Sequence, residues 1–213
     1  MRKGIRTVAL VGGAAAVVIG LAAPATFATT TTTWTVSPGG TWDGSQSGNF
    51  KLTDTTTGKS ITCLDHATGS FKSGTGLRGA RIGSITSLAF TSCTLPHGTA
   101  VTLTASDLPW FLNAVTFKPT VKGGTTIGPV KGIHVTITGI SCNATVDGSG
   151  ATANDGSSLF HYHNSLAKLK IEPLQSNLHA YNVTGCTSAI NNGDPITFDG
   201  AYIVSPAQTI TSP

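Results

Sequence analysis

Residues 133–138 read Ile-His-Val-Thr-Ile-Thr, and residues 196–204 read Ile-Thr-Phe-Asp-Gly-Ala-Tyr-Ile-Val. In both stretches every second residue is apolar or glycine, and most of the residues between them are polar. Successive side chains of a strand point to opposite faces, so this period predicts half-buried β-strands. Outside the N-terminal region no long segment shows the apolar stripe of an amphipathic helix.

The rest of the chain also favours strands over helices. Thr occurs 35 times and Gly 26 times, whereas Glu occurs once, at Glu172. Thr suits a pleated surface and Gly marks turns and bulges. Turn dipeptides such as Thr57-Gly58 and Asn192-Gly193 separate short apolar runs. Further strands are predicted at 50–53, 60–63, 82–90, 100–104, 111–117, 159–163, 168–171 and 180–183. The sequence predicts an all-β fold, either an antiparallel sandwich or an irregular barrel.

The N-terminus has the pattern of a bacterial secretory signal. A basic start (residues 1–6) precedes an apolar run (8–23) and small residues that continue to Ala28. We expect cleavage after Ala28, with Ala25 as the competing position. A retained membrane anchor is the alternative, which Gly and Pro within the run weaken as a spanning helix. Residues 1–28 are therefore predicted to be a signal peptide, and the protein to be secreted.

Signal removal changes the charge of the chain. Three of the 13 basic residues, Arg2, Lys3 and Arg6, lie in the signal, so 10 basic residues face 9 acidic ones in the remainder. A near-neutral chain gives no electrostatic reason to expect nucleic acid or, after cleavage, a membrane as a partner. About 185 residues suffice for one domain. We expect an N-terminal segment with a Thr-rich start at 29–48 and a single β domain at 49–213.

All four cysteines lie in the predicted mature chain. An even number in an exported protein indicates two disulfides, with three connectivities open. The residues around the first two cysteines resemble those around the last two, since both sets are rich in Thr and Gly. This likeness predicts half-repeats at 49–117 and 132–204, although composition alone can also produce it. Two copies would pair Cys63 with Cys93 and Cys142 with Cys186. The first Cys of each pair would then end a strand before a Gly-containing turn, and the second would precede the loop to the next strand.

A resemblance is carried by these same stretches. Thr57-Gly58 through Cys63, Gly83-Ser84-Ile85-Thr86-Ser87 with Phe90 and Cys93, and Asn191-Asn192-Gly193-Asp194 with Phe198 and Tyr202 resemble uncharacterised secreted β-rich proteins of actinobacteria. The likeness covers most of the mature chain. Its motifs are turn and packing residues, so it implies a bacterial, exported origin and no particular activity.

The sharpest candidate for chemistry is His161-Tyr162-His163. Residues i and i+2 of a strand share a face, so His161 and His163 could bind one metal ion. A third ligand is needed, for which Asp155, Asp194, His66, His134 and His179 are all open candidates. The alternative is two solvent-facing histidines on a polar strand surface.

Catalytic and ligand-binding signals are weaker still. The chain has no GxSxG, SxxK or HExxH motif, so no catalytic residue and no cofactor are assigned. Asp65 and His66 are neighbours on a predicted strand and therefore point to opposite faces. Trp34 and Trp42 flank a turn near the start and are candidates for an exposed aromatic binding platform, whereas Trp110 is expected in the core.

Three functions from different classes follow. The favoured one is a secreted, non-catalytic β module that binds an extracellular protein or an envelope glycan, or serves as a surface component. The first alternative is a secreted hydrolase with an Asp/His site, which an Asp–His pair within hydrogen-bond reach, or a cleft with two convergent Asp side chains, would favour. The second is a metal-binding protein that uses His161 and His163.

Overall fold

Sixteen β-strands and no α-helix are found in residues 32–213, the part of the chain that the computed structural model describes. The strands are β1 (Thr33–Ser37), β2 (Gly40–Gln46), β3 (Phe50–Asp54), β4 (Ser60–Phe71), β5 (Gly74–Arg78), β6 (Gly83–Thr94), β7 (Thr102–Ser106), β8 (Trp110–Leu112), β9 (Thr116–Lys118), β10 (Thr125–Gly139), β11 (Cys142–Asp147), β12 (Gly156–His163), β13 (Lys168–Glu172), β14 (His179–Gly185), β15 (Ile196–Ser205) and β16 (Thr209–Thr211). Three short 3-10 turns complete the chain. The all-β prediction is confirmed. No helix in this range is long and apolar enough to cross a membrane.

The strands close into an eight-stranded antiparallel barrel. Around the wall the order is β2 with β3, then β4, β6, β7 with β8, β10, β12, β13 and β15, which pairs back to β2 and β3. The pairing of β10 with β12, from Thr125 opposite His163 to Ile133 opposite Gly156, completes the ring. Of the two forms that the sequence leaves open, the fold is the irregular barrel.

Two small groups of strands extend the barrel. The first half of β10 pairs with β12 and its second half pairs with β11, which carries β14 at its outer edge. A separate three-stranded sheet has the order β16-β1-β5. A register shift at Gly132, which has a φ of 89°, lets β10 change partners, because a bulge bends and twists the strand.

Apolar side chains fill the barrel. Phe50 packs edge-on against Phe198 with ring centroids 5.2 Å apart, and Phe71 meets Tyr162 at 5.6 Å. Phe198 and Tyr202 are buried while Thr197 and Asp199 of the same strand are partly exposed, as the alternation in residues 196–204 predicts. Burial of each such aromatic contributes about 2–3 kcal/mol to stability.

The predicted boundary at residue 49 is not seen in the structure. The segment 29–48 contributes β1 and β2, and β2 pairs with both β4 and β15 in the barrel wall. Residues 32–213 form one compact unit. Trp42 is the one large apolar residue of β2, whose sequence is Gly-Thr-Trp-Asp-Gly-Ser-Gln, so the strand shows no apolar periodicity. The predicted strand at 111–117 is divided into β8 and β9. The predicted signal peptide lies outside the described residues.

Both disulfides pair as the half-repeat hypothesis predicts. Cys63 joins Cys93, and Cys142 joins Cys186, with Cα atoms 4.1 Å and 4.0 Å apart. The predicted position of the second Cys is confirmed, since Cys93 is next to last in β6 and Cys186 directly follows β14.

The predicted position of the first Cys of each pair is wrong. Cys63 lies near the start of a long strand that runs on to Phe71, and Cys142 begins β11. The Cys63–Cys93 bridge joins β4 and β6, neighbouring strands of the barrel wall, whereas the Cys142–Cys186 bridge joins β11 to the turn after β14, in the extension. The half-repeats at 49–117 and 132–204 stay a prediction.

Candidate functional site

A serine, a histidine and an aspartate stand in one row across three neighbouring strands. Ser106 of β7 is directly opposite His134 of β10, and the β10–β11 register places Asp147 on the other side of His134. Residues directly opposite one another in an antiparallel sheet share a face, with Cβ atoms about 4.5–5.5 Å apart. The register of the sheet therefore brings together three residues that lie far apart in the sequence.

The histidine of this row is held by a carboxylate. Nδ1 of His134 lies 2.9 Å from Oδ2 of Asp147, whose side chain is fully buried. A carboxylate oxygen accepts hydrogen bonds, so Nδ1 of His134 is the donor in this contact, and in the neutral ring Nε2 is then the acceptor. Oδ2 of Asp107, next to Ser106, is 3.7 Å from the same Nδ1.

Asp147 also organises the loop that follows β11. Its Oδ1 accepts hydrogen bonds from the backbone N–H groups of Gly148, Asp155 and Gly156, and its Oδ2 accepts one from Asn154. These four bonds fold residues 148–155 back over the carboxylate and satisfy its buried charge. The loop lies beside the groove described next.

A groove of about 660 Å³ runs past this row on the outer wall. The positive charges come from Arg81 and Lys131, and the carboxylates from Asp107 and Asp155. The Arg81 guanidinium lies 4.2 Å from the centre of the Phe111 ring, a stacked cation–π pair. Amide and hydroxyl groups supply the remaining polar lining, from Asn154, Ser157, Gln175 and Asn177.

The two carboxylates of the groove differ in their surroundings. Hydrogen bonds from the Ser149 hydroxyl and backbone hold the pKa of Asp155 below its ordinary value. Asp155 is thus an ionised acceptor and no proton donor at neutral pH. Asp107 lies at the end of the groove nearest His134 and has a φ of 54°, a left-handed conformation that Asp tolerates better than most residues.

Smaller hollows continue the groove in both directions. One of about 290 Å³ shares Arg81 and Phe111 with it and adds Lys72 and Ser84. Another of about 370 Å³ shares Asn177 and adds the rings of His179 and Tyr181. The groove and the two hollows therefore adjoin one another through shared lining residues, and the rings of Phe111, His179 and Tyr181 lie along them.

His161 and His163 share a face, as predicted, with ring centroids 5.9 Å apart. Each has another partner: Nδ1 of His161 is 3.4 Å from Oε1 of Glu172, and Nδ1 of His163 is 2.9 Å from Oγ1 of Thr125. Within residues 32–213 no group of three His, Cys, Asp or Glu side chains is placed to hold a metal ion. Other contacts engage the suggested third ligands, for example Asp43 for His66 and Asn191 for Asp194.

The prediction that Trp34 and Trp42 form an exposed binding platform is wrong. The two side chains are 2% and 3% exposed and belong to the core. Trp34 packs edge-on against Phe117, and the Trp42 ring packs at a tilt of 33° against Phe71. The strands on which they lie are part of the fold, and an indole on the inner face of a strand loses its large apolar surface to the core. Trp110 is buried as expected.

The sequence pointed to Asp and His as an open alternative without naming the row. Asp147 precedes Gly148 in a turn dipeptide and Phe111 follows Trp110 in an apolar stretch, so no sequence pattern marks either residue as part of a site. The predicted opposite orientation of Asp65 and His66 is confirmed, since Asp65 is buried while His66 is exposed beside Asp43. Comparison with protein-family models, curated proteins and solved structures finds no match for this chain.

Proposed function

We propose that this protein is an exported, non-catalytic β module that binds an envelope glycan in the groove around Phe111. One observation carries the proposal: the Phe111 ring, stacked on the Arg81 guanidinium, lies in a groove whose other polar lining groups are amides, a hydroxyl, two carboxylates and the Lys131 amino group. Sugars present apolar C–H faces that stack on such rings and hydroxyls that bond to such polar groups. A chain of connected hollows suits a polymer.

Export is part of this proposal. The basic, apolar and small-residue order of residues 1–28 is the supporting pattern. The two disulfides fit an oxidising, extracellular environment. N-terminal sequencing of protein from the culture medium should start at Thr29, or at Thr26 if the competing cut is used. A medium protein that starts at Met1 would overturn cleavage.

Calorimetry with soluble, peptide-free strands of bacterial cell-wall glycan tests the binding. We expect saturable binding that Phe111→Ala weakens about tenfold, as for an aromatic residue at the centre of an interface. Arg81→Ala should weaken it as well, because the guanidinium lies against the ring. Leu64→Ala, at an exposed site that does not line the groove, is the matched control. Absence of binding, or equal affinity of Phe111→Ala, would contradict the proposal.

A second candidate is an ester hydrolase at the Ser106–His134–Asp147 row, favoured by the 2.9 Å His134–Asp147 contact. The Ser106 hydroxyl would attack an ester carbonyl carbon and give its proton to Nε2 of His134. Nε2 would pass that proton to the departing alcohol oxygen, and water would then release the acid from Ser106 by the same route.

Two assays test this candidate. Hydrolysis of p-nitrophenyl acetate and covalent labelling by a fluorophosphonate should both require Ser106 and His134, with the label mapped to Ser106. Ser157→Ala, in the groove but outside the row, serves as the control. Unlabelled wild-type protein, or activity that survives Ser106→Ala, would exclude it.

A further inference from the structure

Four lysines converge on one outer face of the barrel. Five strands contribute one residue each to a single row of the sheet, in which every residue lies opposite the next. The row consists of Lys118 (β9), Thr125 (β10), His163 (β12), Lys168 (β13) and Ile203 (β15). Lys170 follows two residues after Lys168, in the neighbouring row that holds Ile127 and His161. Lys118, Lys122, Lys168 and Lys170 are called the lysine face below.

Lys122, the one lysine of this face that is not on a strand, lies on a turn. Residues 119–124 fold over Thr125, whose hydroxyl donates to the carbonyl of Val121 at 2.9 Å. The backbone N–H of Ser165 donates to the carbonyl of Lys122 at 3.1 Å, which fixes this turn against the chain after β12. Lys122 is exposed above His163 as a result.

Positive charge exceeds negative charge on this face. The carboxylates of Glu172 and Asp199 approach it, and Lys170 pairs with both, at 2.7 Å and 4.0 Å. Among the ion pairs within residues 32–213, none involves the other three lysines. Burial, followed by the charge of Lys122, lowers the pKa of His163 to about 4.

Exposed aliphatic side chains stand among the lysines. Ile203 is 42% exposed directly opposite Lys168. Val121 is exposed on the same turn as Lys122, and Leu166 is exposed next to Ser165. Together with Val115 and Leu174, they are five of the seven large apolar side chains that are exposed in residues 32–213.

A hollow with aliphatic and polar walls lies within the same face. It has a volume of about 340 Å³, and its aliphatic lining comes from Val115, Ile127, Pro129 and Leu159. Lys118 and His161 stand at its edge. Leu174 adjoins it, since its carbonyl accepts a hydrogen bond from the backbone N–H of Leu159 at 3.3 Å.

We propose that the lysine face binds the surface of an anionic lipid bilayer. Lysine amino groups are attracted to acidic headgroups, and neighbouring exposed Val, Leu and Ile side chains enter the boundary between headgroups and acyl chains. A soluble polyanion would use the lysines and leave the aliphatic side chains in water, so the pattern favours lipid. Lipid binding at this face does not depend on glycan binding at the groove. The near-neutral charge of the whole chain gave no reason to expect a membrane partner, whereas the local charge of this face does.

Vesicle sedimentation tests the inference with the purified exported protein. Binding is expected to vesicles that contain one quarter phosphatidylglycerol, to be much weaker to pure phosphatidylcholine, and to fall as salt is raised. Each of Lys118→Ala, Lys122→Ala and Lys168→Ala should lower the partition coefficient about fivefold, the effect of one lysine near an acidic surface. Lys59→Ala, an exposed lysine that belongs neither to this face nor to the groove, should leave it unchanged.

A second set of variants separates lipid from polyanion. Ile203→Ser and Leu166→Ser keep every charge and should weaken vesicle binding while leaving any binding to dextran sulfate unchanged. Equal unfolding midpoints would show that these surface variants are folded. Vesicle binding that ignores lipid charge, or that the lysine variants retain in full, would overturn the proposal. So would binding to dextran sulfate together with no binding to vesicles.

Discussion

Tyr202 donates a hydrogen bond from its phenol to the carboxylate of Asp65 inside the barrel. Burial raises the pKa of Asp65 to about 6, although the bond from Tyr202 and the charge of His66 act in the opposite direction. Burial and the neighbouring Asp65 charge raise the pKa of Tyr202 well above its ordinary value, so the phenol keeps its proton. An acidic side chain in an apolar core has direct consequences for stability.

Asp65→Asn is expected to stabilise the protein above pH 6 and to change little below pH 4. Between these values the unfolded chain loses the Asp65 proton while the folded state keeps it, so the wild type loses stability as pH rises. After allowance for screening, the loss is about 2 kcal/mol. Urea unfolding from pH 3.5 to 8 measures it, with the exposed Asp43→Asn as control. A constant difference across this range would contradict the explanation.

His163 should produce the opposite slope. Burial, followed by the charge of Lys122, lowers its pKa to about 4, so on acidification the unfolded chain takes up a proton before the folded state does. Its contribution to stability therefore falls as pH drops from 6.5 to 4, and partly cancels the effect of Asp65 in the wild type. His163→Asn should reveal a stability that decreases from pH 4 to 6, and Asp65→Asn one that increases. Parallel curves for the two variants would rule out this cancellation.

Asp147→Ala should cost about 3 kcal/mol or more in the free energy of unfolding. The change removes the acceptor of four backbone N–H groups around residues 148–156 and leaves them unsatisfied. Asp194→Ala removes a single carboxylate contact, to the side chain of Asn191, and should cost less than 1 kcal/mol. Guanidinium unfolding compares the two variants. Equal midpoints would show that the loop does not depend on Asp147.

The two disulfides should protect different parts of the fold. Chain entropy gives each about 3.5–4 kcal/mol for loops that span 30 and 44 residues. Replacing Cys142 and Cys186 by Ser should raise hydrogen exchange mainly in β14 and the chain that follows it, outside the barrel. Replacing Cys63 and Cys93 should raise exchange throughout the barrel, because β4 and β6 belong to its wall. Identical exchange patterns for the two double variants would be inconsistent with these positions.

Gly69→Ala is expected to destabilise the barrel by several kcal/mol. A Cβ atom at residue 69 would lie 2.0 Å from the carbonyl oxygen of Ser84 and 2.5 Å from the ring of Trp42. The backbone oxygen cannot move without breaking the β4–β6 ladder. Gly150→Ala, where nothing lies within 4 Å, is the matched control and should leave the thermal midpoint unchanged. A normal midpoint for Gly69→Ala would show that the wall can yield at this point.

The candidate site was less predictable from sequence than the fold was. The shared face of His161 and His163 follows from strand period alone and is confirmed. The Ser106–His134–Asp147 row depends on which residues of three strands stand opposite one another, and a shift of one residue would send each side chain to the other face. The prediction that Trp34 and Trp42 are exposed was wrong because β1 and β2 pair with other strands of the fold, and this pairing places both rings in the core. The local sequence of the two strands does not reveal the pairing.

The sequence by itself determined the class of this protein: alternation in residues 133–138 and 196–204 and the Thr- and Gly-rich composition specify strands, because side-chain direction and β propensity are local properties. The tertiary structure decided closure into a barrel, since β10 meets β12 through pairings that no local pattern encodes. It also decided the distribution of charge. A near-neutral chain gathers four lysines on one face because strand order, and not composition, determines which side chains become neighbours.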